Sequence, residues 1–172
     1  MTTPARNPFY HQDNPAGSSP FVPEMPGTAA AGKTPVGGAG MGDGIARVER
    51  VERVVKPWGQ EEIFAVLEGQ YVGKILHIKA GGVLSLQQHR AKDETIAVEA
   101  GQITMEYGSD PGRLTSVTMN PGDRLLIRAL VVHRITAITD SRVLEASTAR
   151  EGWRKDIVRF DDRYGRKGTT AP

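Results

Sequence analysis

The chain has 172 residues, and 22 Lys and Arg against 20 Asp and Glu leave a formal net charge of +2. This length allows one domain and hardly two, and the near balance of charge does not indicate nucleic-acid binding. The composition includes 20 Gly, 11 Pro and no Cys, which excludes a disulfide framework, a thiolate metal site and a Cys nucleophile. Any bound metal must therefore be held by His, carboxylate, amide or water ligands.

Residues 1–44 differ in composition from the rest of the chain, because 15 of these 44 residues are Gly or Pro. Their apolar residues show no period, so the segment cannot bury enough apolar surface to offset its ordering entropy. We therefore predict a disordered N-terminal tail. The tail lacks the apolar stretch of a signal peptide, and no run in the chain approaches the ~18 apolar residues of a membrane span. These features favour a soluble, cytoplasmic protein.

The tail contains a segment, residues 27–34, that matches the phosphate-binding pattern G-x4-G-K-T. That motif works between a buried strand and a helix whose N-terminal N–H groups hold the phosphate. Here Pro26 precedes the segment and Pro35 follows it, and a proline disfavours a helical conformation in the residue before it. Chance in a Gly- and Ala-rich tail is the better explanation, and we do not predict nucleotide binding.

From residue 45 onward the sequence indicates a series of short strands. Runs of five to eight residues rich in β-branched and aromatic side chains alternate with turns about every ten residues, as at 101, 108–112 and 120–123. This pattern predicts an all-β sandwich or barrel over residues 45–166, followed by a flexible C-terminal end at 167–172. Trp58 is expected to anchor the first strand by burying its ring.

The main chemical signal lies on two of the predicted strands. Gln87 and His89 are two residues apart and so point to the same face, and Glu94 follows across a connection short enough to fold back. His133 lies on a later strand. If the shared face is the interior of a barrel, two imidazoles, a carboxylate and an amide converge on a site suited to a divalent transition metal. The alternative is a hydrogen-bonded or surface His89 beside a solvated Glu94.

The spacing of these residues resembles that of the cupins. The series Gly81-x5-Gln87-x-His89-x4-Glu94-x6-Gly101 is similar to the first cupin motif, with Gln in place of its first His. This resemblance implies a cupin fold, which is a jelly-roll barrel also called a double-stranded β-helix.

The second cupin motif is present in part. Gly122 and His133 remain, whereas Arg128, Leu130 and Ala137 stand where that motif has Pro, a second Gly and Asn. The flanks at residues 56–59, 85–89 and 156–166 look like the C-terminal cupin domain of type II mannose-6-phosphate isomerases, in which the Gln form of the first motif is usual. The whole resemblance covers residues 51–166.

The resemblance implies one divalent transition metal, such as Zn, Mn, Fe or Ni, whose ligands are Gln87, His89, Glu94 and His133. It also implies aldose–ketose interconversion of a sugar phosphate, in which a base moves the proton alpha to a carbonyl. Glu99 and Lys74 are the candidate catalytic residues. The candidate substrate-binding cations are Arg128, Arg90 and Lys92, with Lys56 and Arg163 as further members of the pool.

Three functions stay open on the sequence. The first is a metal-dependent isomerase or epimerase of a sugar or sugar phosphate. The second is a tailoring or O2-using cupin enzyme of small-molecule biosynthesis, since two His and a carboxylate suit Fe(II). The third is a non-catalytic cupin that binds a small molecule. In each case we expect a small-molecule partner and a homodimer paired through sheet edges, and neither nucleic acid nor a membrane.

Overall fold

The computed structural model describes residue 46 and residues 48–170. The predicted tail at residues 1–44, with its phosphate-loop-like segment, lies outside the described residues, as do the last two residues of the predicted flexible end. None of the described residues belongs to a helix with the length and apolar character that a membrane crossing requires.

The described residues form two antiparallel sheets, with strand orders β1-β2-β3-β10-β5-β8 and β11-β4-β9-β6-β7. A single 3-10 turn at Trp153–Lys155 precedes β11. The predicted all-β architecture is confirmed. The strands are β1 (Glu52–Lys56), β2 (Gly59–Leu67), β3 (Tyr71–Ile78), β4 (Leu86–Gln88), β5 (Glu94–Ala100), β6 (Ile103–Asp110), β7 (Arg113–Met119), β8 (Arg124–Ile127), β9 (Val132–Ala137), β10 (Ser141–Thr148) and β11 (Val158–Asp161).

Alternation along each strand sends one set of side chains into the interior between the sheets. Ile103, Met105, Ile135 and Val143, from three different strands, are almost completely buried there. Trp58 is 5% exposed and packs in the same cluster, as predicted. The apolar core therefore fills one part of the interior, and the polar site described below occupies another.

The turn between β5 and β6 depends on a glycine. Gly101 has φ +81°, the left-handed region that side chains disfavour, and a Cβ there would lie 2.3 Å from the carbonyl oxygen of Asp140. This turn lets β6 begin in the second sheet directly after β5 ends in the first.

The two sheets bring the motif residues to one place. Gln87 of β4 pairs with His133 of β9 in the five-stranded sheet, and His89 follows β4 directly. Glu94 begins β5 in the six-stranded sheet, where it pairs with Ser147 of β10. A site built from these side chains therefore bridges the two sheets.

Candidate metal centre and its cavity

Two buried imidazoles face one buried carboxylate. Glu94 Oε1 lies 3.3 Å from His89 Nε2, and Glu94 Oε2 lies 3.3 Å from His133 Nε2. The three possible ligand atoms all lie within 4.8 Å of one another. Two imidazole nitrogens and a carboxylate in this arrangement match the ligand preferences of a divalent transition metal.

The other ring nitrogen of each histidine is held by a backbone carbonyl. His133 Nδ1 donates to Val131 O at 3.0 Å, and His89 Nδ1 donates to Asp156 O. Because Nδ1 carries the proton, each Nε2 presents its lone pair to the centre, as in metal sites whose histidines are oriented by a second hydrogen bond. His89 Nε2 is fully buried and makes no hydrogen bond to the described residues. The residues therefore fit a metal ion.

Gln87 lies beside this centre, but its side-chain oxygen is hydrogen-bonded to Ser85. Its Oε1 accepts from Ser85 Oγ at 2.6 Å, which leaves Nε2 facing His133 Nε2 at 3.5 Å. An amide nitrogen is not a metal ligand, so coordination by Gln87 requires its amide to turn and present the oxygen. In the arrangement seen here, the side chains that could hold a metal ion are those of His89, Glu94 and His133.

Lys92 is a buried cation in contact with the centre. Its ammonium lies 2.5 Å from Glu94 Oε1 and 3.4 Å from Glu145 Oε1. Burial by itself lowers the pKa of Lys92, but the two carboxylates outweigh burial and raise it. Burial raises the pKa of Glu94, yet Lys92 and the two imidazoles hold it well below the usual range. Lys92 and Glu94 therefore form an ionised buried pair.

Alternating charges continue from Lys92 along the interior. Glu145 Oε1 lies 3.2 Å from Lys74 Nζ, and Glu61 lies 3.6 Å from Lys74 and 3.8 Å from Lys56. Burial raises the pKa of Glu145, and Lys74 and Lys92 outweigh that effect and lower it. Each side chain in this series is at most 15% exposed, so the interior carries a line of paired ions.

These groups face a cavity of about 600 Å³, within the range of ~300–1,000 Å³ usual for small-molecule sites. His89, Glu94 and Lys74 are among its lining residues. A smaller space of about 30 Å³ adjoins it, and His133 and Gln87 line that space together with Glu94. The cluster therefore lies between a substrate-sized cavity and a void of about the volume of one water molecule.

Hydrogen bonds fix the loop that carries the first motif. The Asp156 carboxylate accepts from the backbone N–H groups of Arg90, Ala91 and Lys92 at 2.7–2.9 Å. Burial raises the pKa of Asp156, and these three bonds outweigh it and lower the pKa. One side chain from the end of the chain thus holds the connection between His89 and Glu94.

In the loop before His133, a residue other than glycine adopts the left-handed backbone conformation. Leu130 has φ +70°, at the position where the cupin motif has its second Gly. Its N–H donates to the carbonyl of His89 at 2.7 Å, and the neighbouring Ala129 N–H donates to Asp93 Oδ1 at 2.8 Å. These two hydrogen bonds dock the loop on the first motif.

The solved structures that are similar to this chain include CapF, an oxalate decarboxylase and PAC13. CapF with the inhibitor 3-isopropenyl-tropolone gives a TM-score of 0.56 at 13% identity, over 67% of this chain and 36% of that protein. An oxalate decarboxylase variant from B. subtilis gives 0.57 at 14% identity, over 64% and 30%. A PAC13 variant from Streptomyces with uridine gives 0.53 at 10% identity, over 64% and 85%.

The chain has a cupin fold. At these identities the similarity shows the fold alone, and this fold hosts many chemistries. The cupin domain also spans only 36% of CapF and 30% of the decarboxylase. No protein-family model matches the chain, and no curated protein matches it.

The predicted catalytic and substrate-binding residues fall into two groups, those that line the cavity and those that do not. Lys74 and Lys92 line the cavity. Glu99 is exposed and pairs with Arg142, because it lies an odd number of residues from Glu94 on β5 and so points to the opposite face.

Two of the predicted cations lie away from the cavity lining. Arg128 is 71% exposed and lies 3.5 Å from Asp93. Arg90 is also exposed, and neither side chain is among the residues that line the cavity.

Sequence reasoning missed several cavity residues, notably Glu61, Glu145, Arg159 and Arg166. Alternation offered a signal for Glu145, since it shares the inward face of β10 with Val143. The two arginines had no such signal, because they sit in the basic and acidic C-terminal stretch that resembles a solvated surface.

Proposed function

We propose that this cupin domain is a metal-dependent isomerase or epimerase acting on a sugar or sugar phosphate. The observation that carries the proposal is the His89–Glu94–His133 cluster at the wall of a cavity that also holds ionised Lys and Glu side chains. A substrate carbonyl bound in this cavity would lie near both the candidate metal site and groups that can transfer protons. The cavity volume of about 600 Å³ admits a monosaccharide phosphate.

The metal would be held by His89, Glu94 and His133, with Gln87 as a fourth ligand if its amide turns. A bound divalent ion supplies Lewis-acid polarisation of a carbonyl and stabilises the charge that develops on its oxygen. The protein keeps this centre ordered through Lys92, which holds Glu94, and through the two carbonyls that orient the imidazoles.

Glu61 is our candidate for the catalytic base. Its carboxylate lines the cavity, and within the described range it makes ion pairs at 3.6 and 3.8 Å but no hydrogen bond. Glu145, in contrast, accepts from Ser147 Oγ at 3.0 Å and from Lys92. The less committed carboxylate of Glu61 can take the proton alpha to the carbonyl and return it to the adjacent carbon. Lys74, 3.6 Å away, orients that carboxylate.

Deuterium exchange tests this function directly. Metal-loaded protein is incubated in D2O with a panel of aldoses, ketoses and their phosphates, and proton NMR follows exchange at the carbon next to the carbonyl. We expect exchange and isomer formation with at least one substrate. Glu61→Gln should abolish both, whereas Glu99→Gln on the exposed face should not. Metal-loaded protein that exchanges no substrate in the panel contradicts an isomerase.

A tailoring or O2-using enzyme is the second candidate. The favouring observation is Gln87, whose amide oxygen is turned to Ser85, since this leaves a set of two histidines and one carboxylate. That set is typical of non-haem Fe(II) oxygenases. Iron in the purified protein, together with O2 consumption in the presence of a substrate, would favour this reaction over isomerisation. Small-molecule binding without turnover would favour a non-catalytic cupin.

A further inference from the structure

Three neighbouring basic side chains are among those in the cavity wall that take no part in the His89–Glu94–His133 cluster. Lys56, Arg159 and Arg166 all line the cavity. Their side chains are only 9%, 6% and 13% exposed. They come from β1, from β11 and from the segment after β11, so strand pairing and chain closure are needed to bring them together.

The carboxylates near these cations do not balance their charge. Asp162 Oδ2 accepts from Arg166 Nε at 2.8 Å and lies 4.0 Å from Arg159 Nε. Glu61 lies 3.8 Å from Lys56, but it also pairs with Lys74. This part of the wall therefore carries an excess of positive charge.

Several donors of these cations remain unused among the described residues. Arg159 donates through Nε to Ser85 Oγ at 3.3 Å and through Nη1 to Thr169 O at 2.6 Å. The described residues offer no hydrogen-bond acceptor to Arg159 Nη2, to either Nη of Arg166 or to Lys56 Nζ. Charged donors this poorly exposed need an acceptor from the cavity, either water or a ligand.

Burial and mutual repulsion both disfavour the charged forms of Lys56 and Arg159. Burial lowers the pKa of Lys56; Glu61 raises it, and Lys74, Arg166 and Arg159 each lower it further. Burial and the neighbouring Arg166 likewise lower the pKa of Arg159. An anion among these side chains would relieve the repulsion.

We propose that Lys56, Arg159 and Arg166 form a binding subsite for an oxyanion, the phosphate or carboxylate group of a small-molecule substrate. Guanidinium and ammonium groups bind such oxygens through short charge-assisted hydrogen bonds. Ser85 joins the subsite to the metal cluster, because it accepts from Arg159 and donates to Gln87 at 2.6 Å. The inference deepens the proposed function and rests on it for the rest of the substrate, but not for the anion itself.

Calorimetry on protein freed of metal by a chelator tests the subsite separately from catalysis. Inorganic phosphate and acetate are titrated into the full chain. We expect one of them to bind, and Lys56→Met and Arg166→Gln each to weaken that binding by about tenfold or more, since each removes a charge-assisted hydrogen bond. Lys56→Arg should keep the binding, and so should Arg128→Gln, whose side chain lies outside the cavity lining.

The outcomes separate the subsite from the reaction. Tighter phosphate than acetate binding assigns a phosphate group, and the reverse assigns a carboxylate. Absence of binding for both anions, or equal binding by wild type, Lys56→Met and Arg166→Gln with native circular dichroism, overturns the subsite. If a variant does not fold, phosphate or acetate should protect both the wild-type protein and Lys56→Arg against thermal unfolding, and no protection by either anion overturns the subsite. Anion binding without turnover of any sugar keeps the subsite and refutes the isomerase.

Discussion

Lys92 Nζ lies 2.5 Å from Glu94 Oε1, and the two side chains are only 6% and 4% exposed. The same carboxylate faces His89 through Oε1 and His133 through Oε2. The ammonium therefore holds the one carboxylate that both imidazoles share. Any ion bound at the cluster must accommodate Lys92 as a fixed neighbour.

Lys92→Met should destabilise the fold by about 3–5 kcal/mol, because it leaves Glu94 and Glu145 with less compensation inside the interior. Urea denaturation followed by circular dichroism measures the free energy of unfolding. The control is Lys79→Met at an exposed site, for which the change should stay within about 0.5 kcal/mol. Equal stability of the two variants would show that Lys92 is not a structural partner of these carboxylates.

The double variant His89→Ala, His133→Ala should lose its metal. Elemental analysis of wild-type protein after metal loading should find about one divalent ion per chain, since the structure offers one cluster of this kind among the described residues. His77→Ala serves as the control because His77 is outside the cavity lining. A double variant that keeps both metal and activity would disprove the site.

Leu130→Gly should stabilise the protein by about 0.5–1 kcal/mol. A leucine in the left-handed conformation costs ~1–2 kcal/mol, and the substitution removes this cost. The greater freedom of glycine in the unfolded chain offsets ~0.5–1 kcal/mol of the stabilisation. Leu126→Gly is a matched control, because Leu126 has the same 59% exposure but lies in β8. The control should be destabilised. If both variants lose stability in thermal or urea unfolding, Leu130 carries no backbone strain.

Stability should fall in acid. The pKa values of Glu145 and Asp156 are lowered from their ordinary values of 4.5 and 3.8. A carboxyl group with a lowered folded-state pKa stabilises the fold above its unfolded value, and that contribution is lost as the pH falls towards the folded value. The free energy of unfolding should therefore decrease as the pH drops below 4.5.

Asp156→Asn isolates one part of this acid effect. The variant should be less stable than wild type at neutral pH, and its decline in acid should be shallower, because the amide does not titrate. Glu151→Gln, at an exposed position, should reproduce the wild-type profile. Stability that stays constant or rises below pH 4.5 would contradict the assigned shifts.

Spacing within the first motif, together with the cupin resemblance, predicted which side chains meet. Gln87 and His89 share a face because they are two residues apart, and the structure brings both to Glu94 and His133. The same rule, applied to β5, would have excluded Glu99, which is an odd number of residues from Glu94. Parity along a strand is local information, so this part of the site was open to prediction.

Whether Gln87 could serve as a metal ligand was not open to prediction in the same way. Its amide orientation depends on Ser85, whose hydroxyl also accepts from Arg159 on β11. The contact between Arg159 and Ser85 depends on the pairing of β11 with β4, which places Arg159 opposite Gln87. The hydrogen bond from Arg159 to Ser85 comes from a strand distant in sequence, so the spacing of the motif does not predict it.

By itself the sequence determined the all-β architecture and the candidate ligands, because strand period, turn residues and motif spacing act over a few residues. Only the tertiary structure decided that Lys56, Glu61, Glu145, Arg159 and Arg166 share one cavity. These residues lie on strands far apart along the chain, and their meeting depends on which strands pair and in which register. Those long-range pairings set the charge balance in the interior. They produce both the line of paired ions and the excess of positive charge around Lys56, Arg159 and Arg166.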